Sequence, residues 1–168
     1  MRAQYLTFEL AGQNYGLEIL CVQEIRAWEP PTRLPHAPEH VLGVINLRGA
    51  VVPILDLRRR FGLSLSEQLR PPVIVVVNTQ TQRGLVTSGL LVDAVCDVCE
   101  IAAASIQAAP EVTSQLDREV MRGLCTLQGR LLILLEPERL LRHITTGAEA
   151  EAAGSGTKLG ISGAEASA

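Results

Sequence analysis

The sequence predicts a mainly β fold made of two related small barrels. Two observations carry that expectation: short apolar–polar alternations separated by glycine turns, and one pattern that recurs roughly 75 residues downstream. Only short helices fit the remaining pattern, one of them at the C-terminal end of the folded part, because no long amphipathic period appears earlier.

Taken in order, Leu6, Phe8 and Leu10 alternate with Thr7 and Glu9, and Gly12-Gln13-Asn14 turns the chain into Tyr15, Leu17 and Ile19. This is the pattern of a hairpin with one wet face. Val41 to Leu47 and Val51 to Leu55 flank Arg48-Gly49, where glycine permits a tight turn, and form a second hairpin. Asp56 can cap a short helix over Leu57 to Phe61, and Gly62 can close it. Val73 to Val77 is apolar without interruption, so this strand is expected to be buried on both faces where the barrels meet.

A shift of 80 positions places Gly43 on Gly123, Leu47 on Leu127, Gly49 on Gly129, Asp56 on Glu136 and Arg59 on Arg139. A shift of 73 places Gly16-Leu17 on Gly89-Leu90 and Val22-Gln23-Glu24-Ile25 on Val95-Cys96-Asp97-Val98. Five short strands and a helical turn per copy suit a small barrel, whose closure removes the sheet edges that template aggregation. The expected division is one domain over 1–145, with a first subdomain over roughly 13–70 and a second over 1–12 plus 71–145. Residues 146–168 are small and polar and are read as a flexible tail, because they bury too little to offset the entropy of ordering. Leu159 and Ile161 are its only large apolar side chains, and a docking role for them is the minor reading.

Charge and composition narrow the function. Up to Thr145 the chain holds 14 Lys+Arg against 15 Asp+Glu, so it offers no field for phosphate backbones or anionic lipid. Tyr5, Phe8, Tyr15, Trp28 and Phe61 are not interleaved with basic residues as stacking platforms would be, and nucleic acid is not an expected partner. No basic start followed by an apolar run is present, and no stretch approaches the ~20 apolar residues of a membrane span. A cytoplasmic protein without membrane insertion is therefore expected. Its four cysteines are expected as packed thiols.

Cys96 and Cys99 have the two-residue gap of a zinc or redox pair. They lie in a strand pattern, where residues three apart point to opposite faces, and no second pair of ligands accompanies them. A small thiol or metal enzyme using these two cysteines is the alternative from another class, and metal analysis would decide it. His36, His40 and His143 accompany no nucleophile motif, and the glycines form no phosphate-cradling loop. Neither catalysis nor a cofactor is expected.

The unusual residues are polar. Glu24 stands within an apolar strand, Asn46 and Arg48 mark a hairpin tip, and Arg58-Arg59-Arg60 is read as a solvated face. A carboxylate between Val22 and Ile25, near an arginine able to make a bidentate contact, has the composition of a partner-binding surface.

Val22-Gln23-Glu24-Ile25-Arg26, Gly43-Val44-Ile45-Asn46-Leu47-Arg48-Gly49, Val52-Pro53-Ile54-Leu55-Asp56-Leu57-Arg58, Val92-Asp93-Ala94-Val95 and Gly123-Leu124 together resemble the CheW-like family of chemotaxis coupling proteins. The likeness runs in order from about Gln4 to His143. It implies two five-stranded SH3-like barrels that bridge the cytoplasmic tips of chemoreceptors and the regulatory domain of the histidine kinase CheA, at membrane receptor arrays. The positions it assigns to receptor binding are Val22, Glu24 and Arg48, with Ile25 and Asn46 beside them. Val51, with Gly43 and Ile54, falls to the kinase-facing side. An adaptor of a related pathway, such as twitching motility, is the nearest alternative. The sequence departs from the family in a longer hairpin over Asn78 to Ser88, in Pro137 after the last strand, and in Cys96 where serine is common.

Overall fold

A computed structural model describes residues 1–64, 70–111 and 115–142. The strands are β1 (Arg2–Leu10), β2 (Gln13–Glu18), β3 (Val22–Ala27), β4 (Val41–Leu47), β5 (Ala50–Asp56), β6 (Val73–Thr81), β7 (Gly84–Val92), β8 (Ala94–Ala102), β9 (Met121–Leu127) and β10 (Arg130–Leu135). Short helices follow β5 (α1, Leu57–Arg60), precede β9 (α2, Gln115–Val120) and follow β10 (α3, 137–142). Pro137 opens α3, a position where its missing N–H costs nothing. Asp56 caps α1 as expected, its Oδ1 accepting from the Arg58 amide at 3.0 Å. No helix among the described residues is long and apolar enough to cross a membrane.

The strands form two five-stranded SH3-like sheets, ordered β8-β1-β2-β10-β9 and β3-β6-β7-β5-β4. This corrects the division expected from the repeat. The copies in sequence are β1–β5 and β6–β10, yet each sheet takes its central hairpin from one copy and its other three strands from the other. A boundary near residue 13 would cut β1 from β2, which are paired from Tyr5 opposite Glu18 to Leu10 opposite Gln13 across a tight turn. A boundary near residue 71 would likewise remove β6 and β7 from β3 and β5, their hydrogen-bonded neighbours.

The exchange preserves the repeat in detail. Parallel pairing sets Leu134 opposite Gly16 in the first sheet and Ile54 opposite Gly89 in the second, positions related by the two sequence shifts. Bulges recur at Gln23 and Cys96, and again at Leu42 and Arg122. The amide of Asp56 donates to the His40 carbonyl at 2.8 Å, and that of Glu136 to the Val120 carbonyl at the same distance.

Three apolar clusters follow from this topology. One lies inside the second sheet (Ile45, Leu47, Val52, Ile54, Ile74, Val76) and one inside the first (Tyr5, Ile101, Cys125, Leu132, Leu134). The largest, which includes Leu6, Phe8, Leu17, Leu55, Val75 and Leu90, lies between the sheets. Ile74 to Val77 are fully buried, alternating between the shared core and that of the second sheet, as the unbroken apolar run requires.

The Arg58–Arg60 run is a solvated face only in part: Arg59 is exposed and Arg60 half-buried. Arg58 is buried, and its Nε lies 3.0 Å from Asp93 Oδ1. Asp93 Oδ2 accepts from the Ala11 amide at 2.8 Å, and the Asp93 amide donates to the Glu9 carbonyl at 3.0 Å. One carboxylate thus joins the β1–β2 turn of the first sheet to α1 at the end of the second. Removing one partner of a buried ion pair strands the other charge, so Asp93→Ala is expected to cost about 3 kcal/mol, read as a lower urea midpoint by circular dichroism. Adding Arg58→Met should recover part of the loss. A cost below about 1 kcal/mol would mean that the clamp is idle.

Candidate partner-binding surface

β3 and β4 are opposite edges of the second sheet, yet Arg48, in the β4–β5 turn, reaches Glu24 on β3. Arg48 Nη2 donates to Glu24 Oε2 at 2.5 Å. The sheet therefore curls until its edges meet, and this ion pair spans the seam. Arg48 and Gly49 both have positive φ, 51° and 87°, the backbone form that matches the twist of a two-residue hairpin. Asn46 Oδ1 accepts from the Gly49 amide at 2.9 Å and steadies the turn.

Charge continues along β3. Arg26 Nη1 lies 3.7 Å from Glu24 Oε1, and Arg26 Nη2 lies 3.8 Å from Glu29. The Arg48 side chain is 68% exposed, whereas Glu24 is only 25% exposed, and its Oε1 is buried without a hydrogen bond among the described residues. A partly buried carboxylate carrying an exposed guanidinium is a directional polar group of the kind a partner can engage.

The other expected site residues divide. Asn46 lies directly across the ladder from Val51, which is 70% exposed, so both face outward beside Arg48. Ile25 is exposed on the opposite face of β3 from Glu24, and Val22 packs on the shared core. Ile54 is not a surface residue: it is fully buried in the second-sheet cluster, because strand alternation sends Val51 and Ile54 to opposite faces. Gly43 is also buried. A Cβ there would stand 2.2 Å from the Thr32 carbonyl oxygen, at the point where the segment before β4 crosses the strand through paired 2.8 Å hydrogen bonds between Thr32 and Val44.

An apolar groove of about 320 Å³ had no signature in the sequence. Tyr15, Phe61, Leu63, Met121, Leu124 and Leu131 line it, joining the first sheet to the segment that follows α1. The Tyr15 ring stacks between Phe8 and Phe61, with centroids 5.9 and 5.8 Å away. These residues come from β2, β9, β10 and the segment after α1, far apart in sequence; the aromatic and leucine at the end of α1 are the one local signal that could have pointed to it.

The thiols are held neutral. Burial pushes Cys21 up to about 11, and its Sγ donates to the Glu18 carbonyl at 3.0 Å. Burial also raises Cys96, Cys99 and Cys125. Cys96 is exposed on its bulge while Cys99 packs against the first-sheet cluster. Burial lowers His40, with Arg60 adding to the effect. Among the described residues no group of three His, Cys, Asp or Glu side chains converges as a metal site would. His143 lies outside the described residues.

Two curled sheets around a shared core, with a charged seam and an apolar groove on the outside, have the makings of a binding module. The model of the CheW-like domain matches residues 4–145. A probable chemotaxis protein CheW of Rhizobium etli is 42% identical over 137 residues, covering 82% of this chain and 86% of that protein. A chemotaxis protein CheW of Klebsiella aerogenes is 41% identical, covering 82% and 81%. The crystal structure of the scaffolding protein TtCheW from Thermoanaerobacter tengcongensis superposes with a TM-score of 0.75 at 32% identity, covering 84% of this chain and 88% of that one. The chain belongs to the CheW-like family.

Because the atom facing Gly43 is backbone, no rotamer change can make room for a methyl group. Gly43→Ala should therefore lose at least the ~1–3 kcal/mol typical of overpacking, whereas Val51→Ala should stay within about 0.5 kcal/mol; urea unfolding of the two variants checks both. For the thiols, iodoacetamide at pH 8 should label Cys96, while Cys21 gains label only as the pH climbs toward about 11. Equal labelling of the two at pH 8 contradicts this account.

Proposed function

We propose that this protein is a non-enzymatic chemotaxis adaptor that couples the cytoplasmic tips of chemoreceptors to the regulatory domain of the histidine kinase CheA, in the cytoplasm at receptor arrays. The observation that carries the reading is the Glu24–Arg48 pair. It spans the seam of the second sheet beside Asn46 and Val51, with Arg48 exposed, at positions that the family resemblance assigns to receptor and kinase contact. The groove at Tyr15 and Phe61 supplies an apolar surface of the kind against which an amphipathic helix can lay its apolar face. Residues 1–145 act as one unit in this role.

The work is done by position. Holding kinase beside receptor raises its effective concentration, so that individually weak contacts give a durable assembly. A receptor state with different affinity for the adaptor surface then shifts the kinase equilibrium by that difference and no more.

Arg48→Ala tests the reading. An exposed ion pair contributes at most about 1 kcal/mol, so the variant should remain folded. Its co-sedimentation with receptor cytoplasmic fragments, with and without the kinase, should weaken at least about tenfold, equal to about 1.4 kcal/mol. Undiminished receptor capture by folded Arg48→Ala would remove this residue from the interface.

A further inference from the structure

A second groove, of about 420 Å³, lies between the β6–β7 hairpin and the start of α3. Leu20 and Leu85 line it, 86% and 66% exposed. Its charged lining is Glu18, Glu136 and Glu138 against Arg122. Arg122 Nη1 lies 2.6 Å from Glu18 and 3.1 Å from the Tyr5 hydroxyl, and Arg122 Nε lies 3.5 Å from Glu136. Three carboxylates against one guanidinium leave the groove net negative. It offers an apolar shelf with an acidic wall, and its complement is a short segment with one cation next to branched apolar side chains.

After residue 145 the chain carries one such segment. Lys158 is the only lysine of the 168 residues, and Leu159 and Ile161 are the only large apolar residues after residue 145. We propose that Lys158–Ile161 docks into this groove of its own molecule, with the ammonium against Glu136 and Glu138 and the two apolar side chains over Leu20 and Leu85. The geometry allows it. Sixteen residues lead from Arg142 to Lys158, a length that as a flexible linker would span roughly 22 Å, while the groove begins at Pro137, about 8 Å back along α3. Tethering at that length keeps the local concentration in the millimolar range, so a weak contact suffices. The groove at Tyr15 and Phe61 is a poorer host, since its lining holds no carboxylate for Lys158. The docked segment is a tethered occupant that any other protein using this face must displace.

Zero-length carbodiimide cross-linking of the full chain, followed by peptide mass spectrometry, tests this directly because Lys158 is the single side-chain amine. The expected product is Lys158 joined by an amide to Glu136, Glu138 or Glu18 in the monomer fraction. Its yield should fall several-fold with Leu85→Ser, with Glu138→Gln, and at high salt, where exposed charges are screened. Both substituted residues are exposed, so circular dichroism should confirm intact folds. Absence of the product overturns the proposal, as does a yield that Leu85→Ser leaves unchanged. A product found only between isotopically distinct copies in a mixed sample also overturns it.

Discussion

The constraint on which the structure depends is that its two central hairpins are buried on both faces. In β6, Val75 and Val77 face the core between the sheets while Ile74 and Val76 face the interior of their own. In β1, Leu6, Phe8 and Leu10 face the shared core while Tyr5 faces the other side. Because each hairpin sits in a sheet whose remaining strands come from the other repeat copy, neither copy can bury its apolar residues alone. The two modules are units of packing but not of folding: deleting one copy would strip strands from both sheets. The Asp93 carboxylate, bonded to the Ala11 amide and paired with Arg58, adds a polar tie across the same junction.

This mutual burial gives the outer surface a rigid frame, and the frame is decorated differently on its two equivalent halves. Glu24 and Arg48, which form the seam pair, correspond to Asp97 and Gln128. Asp97 Oδ1 instead accepts from the Val98 amide at 2.7 Å. Leu42, an apolar bulge residue, corresponds to Arg122, which is held by Glu18 and Glu136. The same scaffold is used twice, and differences at a few positions give its two halves chemically distinct faces.

Much of this was legible in the sequence, for identifiable reasons. Alternation and turn glycines marked the hairpins, and the repeat marked the duplicated plan. The unbroken apolar run marked β6 as doubly buried. The assignment of strands to sheets was not legible, because self-similarity reports which segments are alike and carries no information on which are adjacent. Arg58 was misread for a related reason: its partner Asp93 belongs to the other repeat copy, and an arginine among arginines looks solvated until that partner is in place. Within the candidate site, Glu24, Asn46, Arg48 and Val51 stand on the surface, whereas Ile54 and Gly43 resemble site residues by position and serve the interior. Strand parity alone separates Val51 from Ile54; nothing local reveals the chain crossing at Gly43.

The two sheets close their seams by different means. Where the edges of the first sheet approach, Cys99 of β8 and Cys125 of β9 join one apolar cluster with Tyr5 and Ile101, so that closure there removes apolar surface from water. The second-sheet seam carries an exposed ion pair, which stabilises little because water screens it and ordering two long side chains offsets the attraction. A contact that contributes little to the fold can be rearranged with little loss of stability. The core beneath holds Glu24 and Arg48 in register whether or not the pair is formed. Stability thus comes from the shared interior and owes little to the charged seam.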